Sequence, residues 1–229
     1  IADLLTEMQI ALQKKARRKV VRLEISSTMR RASREWLAEM LKTSTESIFS
    51  ISGMLNLKDL FRLAGLKNFP ELMDKPLPPL ASVNLEGSDI FRVIREKGGF
   101  LLHHPYESFS PVIRFLEEAA NDPNVLAIKQ TLYRVSGNSP VVKALIRAAR
   151  SGKQVSVLVE IKARFDEENN INWARELANA GAHVVYGIAG LKVHCKALMV
   201  VRQEEDGIHR YMHLGTGNYN DKTAQLYTD

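Results

Sequence analysis

The sequence predicts an α/β fold, α+β overall: a mixed sheet with helices on both faces, preceded by a truncated small α+β domain. Three observations carry that expectation. After residue 100, β-branched runs alternate with amphipathic runs, the pattern of a mostly parallel sheet with helical crossovers. Four of the eight prolines crowd into residues 68–80, NFPELMDKPLPPL, where fixed φ and missing donors make an extended linker. Near the end, two strand-like runs flank the turn EEDG, which suits a hairpin.

The elements follow in order. IADLLTEMQIALQ reads as part of an amphipathic helix, with neither an initiator Met nor a signal-peptide layout. LYTD, at the other end, has no helix stop, so the chain is expected to be a piece of a longer protein. VVRLEIS is β-branched and strand-like, RRASREWLAEMLK helical, ESIFSIS a second strand, and LKDLFRLA a short helix. Beyond the linker, FLLHHP is expected as a strand, SPVIRFLEEAAND as a helix and NVLAIKQTLYR as a strand. SPVVKALIRAARSG is then helical, QVSVLVEI a strand, NINWARELANAGA helical and HVVYGI a strand. Each helix opens near a capping Ser or Asn, and SG and AG place Gly where a left-handed C-cap sits. CKALMVVRQ and GIHRYMHLG form the hairpin and deliver GTGNYN onto a loop, with a helix expected after Asn220. Functional residues should gather at the carboxyl ends of the strands, where loops converge on a crevice.

Composition narrows the function classes. With 45% hydrophobic and 25% charged residues, disorder and low complexity are excluded. The net charge of +6 favours polyanionic partners, and it is uneven: residues 1–80 hold 14 basic and 9 acidic side chains, residues 81–229 hold 18 and 17. The upstream excess, in KKARRKVVR and MRRASR, is a solvated helix face, an inter-domain contact or a polyanion contact. A single cysteine, Cys195, excludes an intrachain disulfide and a cysteine zinc site, and points to the cytosol. No apolar run approaches the roughly 20 residues of a membrane helix.

Phosphate chemistry is the remaining lead. Gly152-Lys153 has Arg147 where a Walker loop needs Gly, and no GxGxxG follows a strand. What does occur is His194-Cys195-Lys196 followed by Gly215-Thr216-Gly217-Asn218. On a strand, positions i and i+2 share a face, so His194 and Lys196 point together. A neutral imidazole beside an ammonium suits attack on phosphorus, and a Gly-rich turn with Thr and Asn adds donors for the oxygens. A buried histidine satisfied by a carbonyl, beside a surface lysine, would produce the same HxK spacing.

HxK with G-[ST]-x-N is the half-site pattern of the phospholipase D superfamily. HHPYESF, AIKQTLYR, LVEIKARFDEENNINWAR, GLKVHCK and HLGTGNYNDKTAQLYTD together resemble polyphosphate kinase of the long, phospholipase-D-like type. VVRLEIS with GMLNLKDL resembles the head domain that precedes it. The resemblance implies that residues 1–80 are the carboxyl-terminal part of a head domain and residues 81–229 the first of two phospholipase-D-like catalytic domains. It implies reversible transfer of the terminal phosphate of ATP onto polyphosphate, with His194 as the phosphorylated residue and Lys196 beside it. Arg134 of TLYR and Arg164 of KARFDE fall at positions of the phosphate and Mg²⁺-associated site. A guanidinium is a poor cation ligand, so both read as forks on phosphate oxygens that Mg²⁺ also touches. Asn218 joins that phosphate set, and Tyr227 of LYTD matches a nucleotide contact. Without the resemblance, Arg134 and Arg164 also fit ion pairs with Glu160 or Asp166, and Tyr227 fits a helix residue packed on the sheet.

The implied partners are ATP or ADP and inorganic polyphosphate, with a homo-oligomer in the full-length enzyme and no nucleic acid. The location stays open between the cytosol and peripheral contact with the inner membrane. Superfamily half-sites usually continue HxKxxxxD, yet Val201 stands at that place, which argues against ordinary phosphodiesterase or nuclease chemistry. A non-catalytic polyanion-binding module using Arg17, Arg18 and Lys19 is the third reading. Because two half-sites normally share one pocket, the segment alone is expected to have little transferase activity. His103 and His104 are expected at a strand end in mainly structural roles, and His183, His209 and His213 as structural or exposed.

Overall fold

A computed structural model describes residues 10, 14, 19–75, 77–80, 88–160, 167–188 and 191–228. They divide into two compact units, one up to residue 75 and one from Leu77 onward. Arg164, Arg17, Arg18 and nearly all of the expected first helix lie outside the described residues.

In the first unit, β1 (Leu23–Ser26) runs parallel to β2 (Ile48–Ile51), with Leu23 opposite Ile48. The crossover helix α1 (Arg31–Met40) follows RRASREWLAEMLK, and a short α2 (Leu60–Ala64) follows LKDLFRLA. Ile25 and Ile48 are buried, while no side chain of α1 is, so this unit's core is thin.

The second unit opens with α3 (Ile90–Lys97), which the sequence reading did not anticipate. Its signals are nonetheless present: Asp89 accepts from the Phe91 N–H at 2.9 Å as N-cap, and Gly98 takes φ 64° at the C-terminus. Then come α4 (Ser110–Asn121), β3 (Val125–Leu132), α5 (Pro140–Arg150), β4 (Gln154–Val159), α6 (Glu167–Asn179), β5 (His183–Tyr186), and the hairpin β6 (Lys196–Glu204) and β7 (Gly207–Gly215). Ser139 caps α5, whereas α4 has no side-chain cap, contrary to the expected Ser. Gly152 and Gly181 close α5 and α6 with φ 85° and 95°, conformations in which a Cβ would be strained.

The sheet order is β5-β4-β3-β6-β7. β3, β4 and β5 are parallel, while β6 is antiparallel to β3 and β7 to β6, so the sheet is mixed as expected. Both crossovers step in one direction, β3 to β4 to β5, and right-handed connections then put α5 and α6 on the same face. One core results, joining Phe91, Phe115, Leu116, Val142, Leu145 and Leu177 of the helices to Ile128, Val157, Leu198, Val200 and Tyr211 of the strands. The mixed sheet with packed helices is the α/β class that the sequence predicts. Lys129, Ile208 and Arg210, at strand positions that alternate with the core residues, are exposed.

FLLHHP is not a strand. After Gly98 and Gly99 the segment runs as irregular chain, with Leu101 87% exposed and His104 buried. Its apolar side chains face an apolar cleft of about 560 Å³ instead of a neighbouring strand. Among the described residues no helix is long and apolar enough to cross a membrane.

Candidate active site

Because β6 is antiparallel to β3, the carboxyl ends of β3, β4 and β7 and the start of β6 share one edge of the sheet. That edge gathers the motifs.

Lys196 opens β6 and is 4% exposed; His194 precedes the strand. Strand alternation therefore does not bring the two together, yet they meet: Lys196 Nζ lies 2.8 Å from His194 Nδ1 and 3.0 Å from Nε2. Side chains hold this stretch of backbone where the ladder has ended. Thr131 Oγ1 donates to the Cys195 carbonyl at 2.8 Å and accepts from the Ala197 N–H at 3.0 Å. Buried Glu160, just past β4, accepts from the Val193 N–H at 2.8 Å. Its own carbonyl accepts from Asn170 Nδ2 at 3.1 Å.

Tyr133 supplies the floor. Its ring meets that of His194 edge-on, with centroids 5.2 Å apart. Arg134 Cζ, Lys192 Nζ and Lys196 Nζ lie 5.3, 5.5 and 5.6 Å from the same ring centre. Desolvation, then the positive charges of Lys196, Lys192 and Arg134, hold the His194 pKa below its ordinary value. The imidazole is thus neutral at physiological pH, with the Lys196 ammonium within hydrogen-bond distance of its ring nitrogens.

Of the sequence-derived candidates, His194, Lys196 and Arg134 come together. Asn218 sits on the loop after β7, its Oδ1 buried without a hydrogen-bond partner among the described residues. With Gly215, Thr216 and Gly217 it lines one wall of the apolar cleft, whose other walls are α3, α4 and the segment around His103 and His104. Tyr227 is 64% exposed and does not pack on the sheet. His104 Nδ1 is 2.9 Å from the Glu107 carbonyl, and His213 Nδ1 is 2.9 Å from the Tyr219 hydroxyl, both structural contacts; His183 is exposed and His209 pairs with Asp206. Thr131, Tyr133 and Glu160 were given no role at the site, although AIKQTLYR and LVEIKARFDEENNINWAR contain them. Their partners lie 33 to 66 positions away.

The fit to Mg²⁺ is poor as direct ligation. Among the described residues the charged groups facing His194 are the Lys196, Lys192 and Arg134 cations, which repel a metal ion, and the nearby Glu160 carboxylate already accepts from the Val193 N–H. The one cluster with metal-ligand spacing among the described residues, Glu204, Asp206 and His209, lies at the hairpin turn, the opposite end of the sheet. A magnesium ion here would be carried by phosphate oxygens.

Comparisons with known proteins bear on the same residues. A family model described as polyphosphate kinase C-terminal domain 1 matches residues 89–229, and one described as polyphosphate kinase middle domain matches residues 1–63. The chain is 50% identical over 228 residues to a polyphosphate kinase of Prosthecochloris aestuarii, covering 99% of this chain and 32% of that protein. It is 51% identical over 231 residues to one from Halalkalibacterium halodurans, covering 99% and 33%. The crystal structure of polyphosphate kinase from Porphyromonas gingivalis superposes with a TM-score of 0.65 at 37% identity, over 90% of this chain and 33% of that one. The chain thus spans about a third of the length of the curated relatives it matches. The matched region includes the whole edge built around His194, and on these grounds the chain belongs to the polyphosphate kinase family.

Proposed function

We propose that this chain supplies one half of the site of an ATP:polyphosphate phosphotransferase, with His194 as the phosphate carrier. The observation that carries the proposal is the neutral His194 imidazole surrounded by Lys196, Lys192 and Arg134. The imidazole nitrogen attacks the terminal phosphorus of ATP; the N–P bond forms, the P–O bond to ADP breaks, and ADP departs with the electron pair. The terminal oxygen of a polyphosphate chain then attacks the phosphohistidine, breaking N–P and lengthening the chain by one unit. An N–P bond has a transfer potential near that of a phosphoanhydride, so both directions run. Lys196 and Arg134 act on the charge building on the transferring oxygens, and Arg134 presents a fork suited to two of them. Asn218 and, from outside the described residues, Arg164 join that set, and Tyr227 offers an exposed ring for the adenine.

Arg134 and Arg164 would grip phosphate oxygens that a magnesium ion also touches, and the ion would supply partial neutralisation of the nucleotide charge. We place the domain boundary within residues 68–80, with a head-domain end before it and the first catalytic domain after it. Homo-oligomerisation and a location either free in the cytosol or against the inner membrane belong to the same proposal for the full-length enzyme. On this reading two half-sites share one pocket, and a segment with a third of its relatives' length has little or no transferase activity by itself.

The test is acid-labile phosphate on the full-length enzyme after incubation with radiolabelled ATP. Wild type should trap label stable to base and lost in acid, and His194→Ala should trap none. Label of the same stability persisting in His194→Ala would sink the assignment.

A further inference from the structure

Arg134 lies in the left-handed region, at φ 53°, just past β3. A residue with a Cβ holds that conformation only where its surroundings impose it. Here three consecutive residues are each tied by a side chain from elsewhere. Asn220 Nδ2 donates to the Arg134 carbonyl at 2.7 Å. Asn169 Nδ2, on α6, donates to the Val135 carbonyl at 3.1 Å. Ser136 Oγ donates to Asp221 Oδ1 at 2.6 Å. Two of the three ties come from the loop that also presents Asn218.

The Asn220 amide is used at both ends. While Nδ2 holds Arg134, Oδ1 accepts from the Lys222 and Thr223 N–H groups at 3.1 and 3.2 Å, closing the turn that leads into residues 223–225. Only a side chain with a donor and an acceptor on one carbon does both. Arg134 is the one residue of the trio whose side chain reaches the centre of the site, 5.3 Å from the Tyr133 ring on which His194 packs.

We infer that Asn220 is a positioning residue for phosphoryl transfer: it fixes the left-handed backbone of Arg134, so that the guanidinium faces His194, and it locks this arginine to the Asn218 loop. The inference rests on the phosphotransferase reading above and adds to it a residue that never touches phosphate.

Asn220→Asp separates positioning from turn closure. The carboxylate keeps the acceptor for Lys222 and Thr223 but removes the N–H and sets a negative oxygen against the Arg134 carbonyl. Asn220→Ser, too short to reach that carbonyl, is the second variant should the first misfold. In the full-length enzyme, kcat/KM for ATP with polyphosphate is measured for Asn220→Asp, Arg134→Ala and the double variant, alongside thermal unfolding. Asn220→Asp is expected to lose about tenfold in kcat/KM with its unfolding transition retained, a displaced group being as costly as many missing ones. The double variant should be no worse than Arg134→Ala, because a residue acting through another adds nothing once that other is gone. Wild-type kinetics in both Asn220 variants beside an impaired Arg134→Ala, or losses that multiply in the double variant, would overturn the inference alone. Wild-type kinetics in Arg134→Ala would overturn it together with the role given to Arg134 in the phosphotransferase site.

Discussion

His194 and His213 are both neutral, for different reasons and with different consequences. His194 owes its lowered pKa to desolvation and to neighbouring cations that serve phosphate. His213 owes its pKa, pushed down to about 4, to burial first and then to the nearby His104. Unfolded, His213 titrates near 6.5, so the unfolded chain takes up the proton first as pH falls. Its contribution is therefore fully present above pH 6.5, is lost progressively below it, and is gone near pH 4, at a cost of about 3 kcal/mol. Denaturant unfolding from pH 7 to 4 should show this loss, and His213→Gln should flatten the profile. HxK and GTGN were legible because the chemistry sits in adjacent positions. Tyr133, Thr131, Glu160 and Asn220 were not, since each acts through a contact that exists only once the sheet has formed.

Among the elements, the strands were the most legible, because runs such as QVSVLV and KALMVV alternate buried and half-buried positions in register with the core. The reading failed at the two ends of one stretch, residues 90–105. IFRVIREK was overlooked although capped at both ends, and FLLHHP was taken for a strand because apolar density stood in for a pairing partner. The sequence carries no mark of which strand, if any, lies alongside such a run. Since α3 contributes Ile90, Phe91 and Val93 to the core, its start matters to the whole second unit. Asp89→Ala, which leaves the Phe91 N–H uncapped, should lower stability by about 1 kcal/mol, measured as a shifted denaturant midpoint with unchanged slope. The opposite end of the sheet is pinned separately. Arg202 Nε reaches Asp122 at 2.7 Å and Arg202 Nη1 reaches Glu204 at 2.9 Å, tying the hairpin to the end of α4.

At the scale of the second unit, one sheet face is a packed core and the other is open, so equal substitutions on the two faces should have unequal effects. Ile208, 54% exposed on the open face, should tolerate Lys with a change within about 0.5 kcal/mol by thermal or denaturant unfolding. A loss several times larger would mean that the face is covered within this chain. Alternation of strands and helices fixes their order, while the face a helix covers is decided by which way successive crossovers step. The strand order has a consequence for the growing polypeptide. β3 is central in the finished sheet, but β5, β4 and β3 are synthesised before the hairpin, so β3 is an unpaired edge until β6 arrives. At about 5–20 residues per second, the interval between completing β5 and completing β7 lasts a few seconds on the ribosome. During it the exposed Lys129, midway along β3, is the charge that discourages a foreign strand from taking the place reserved for β6.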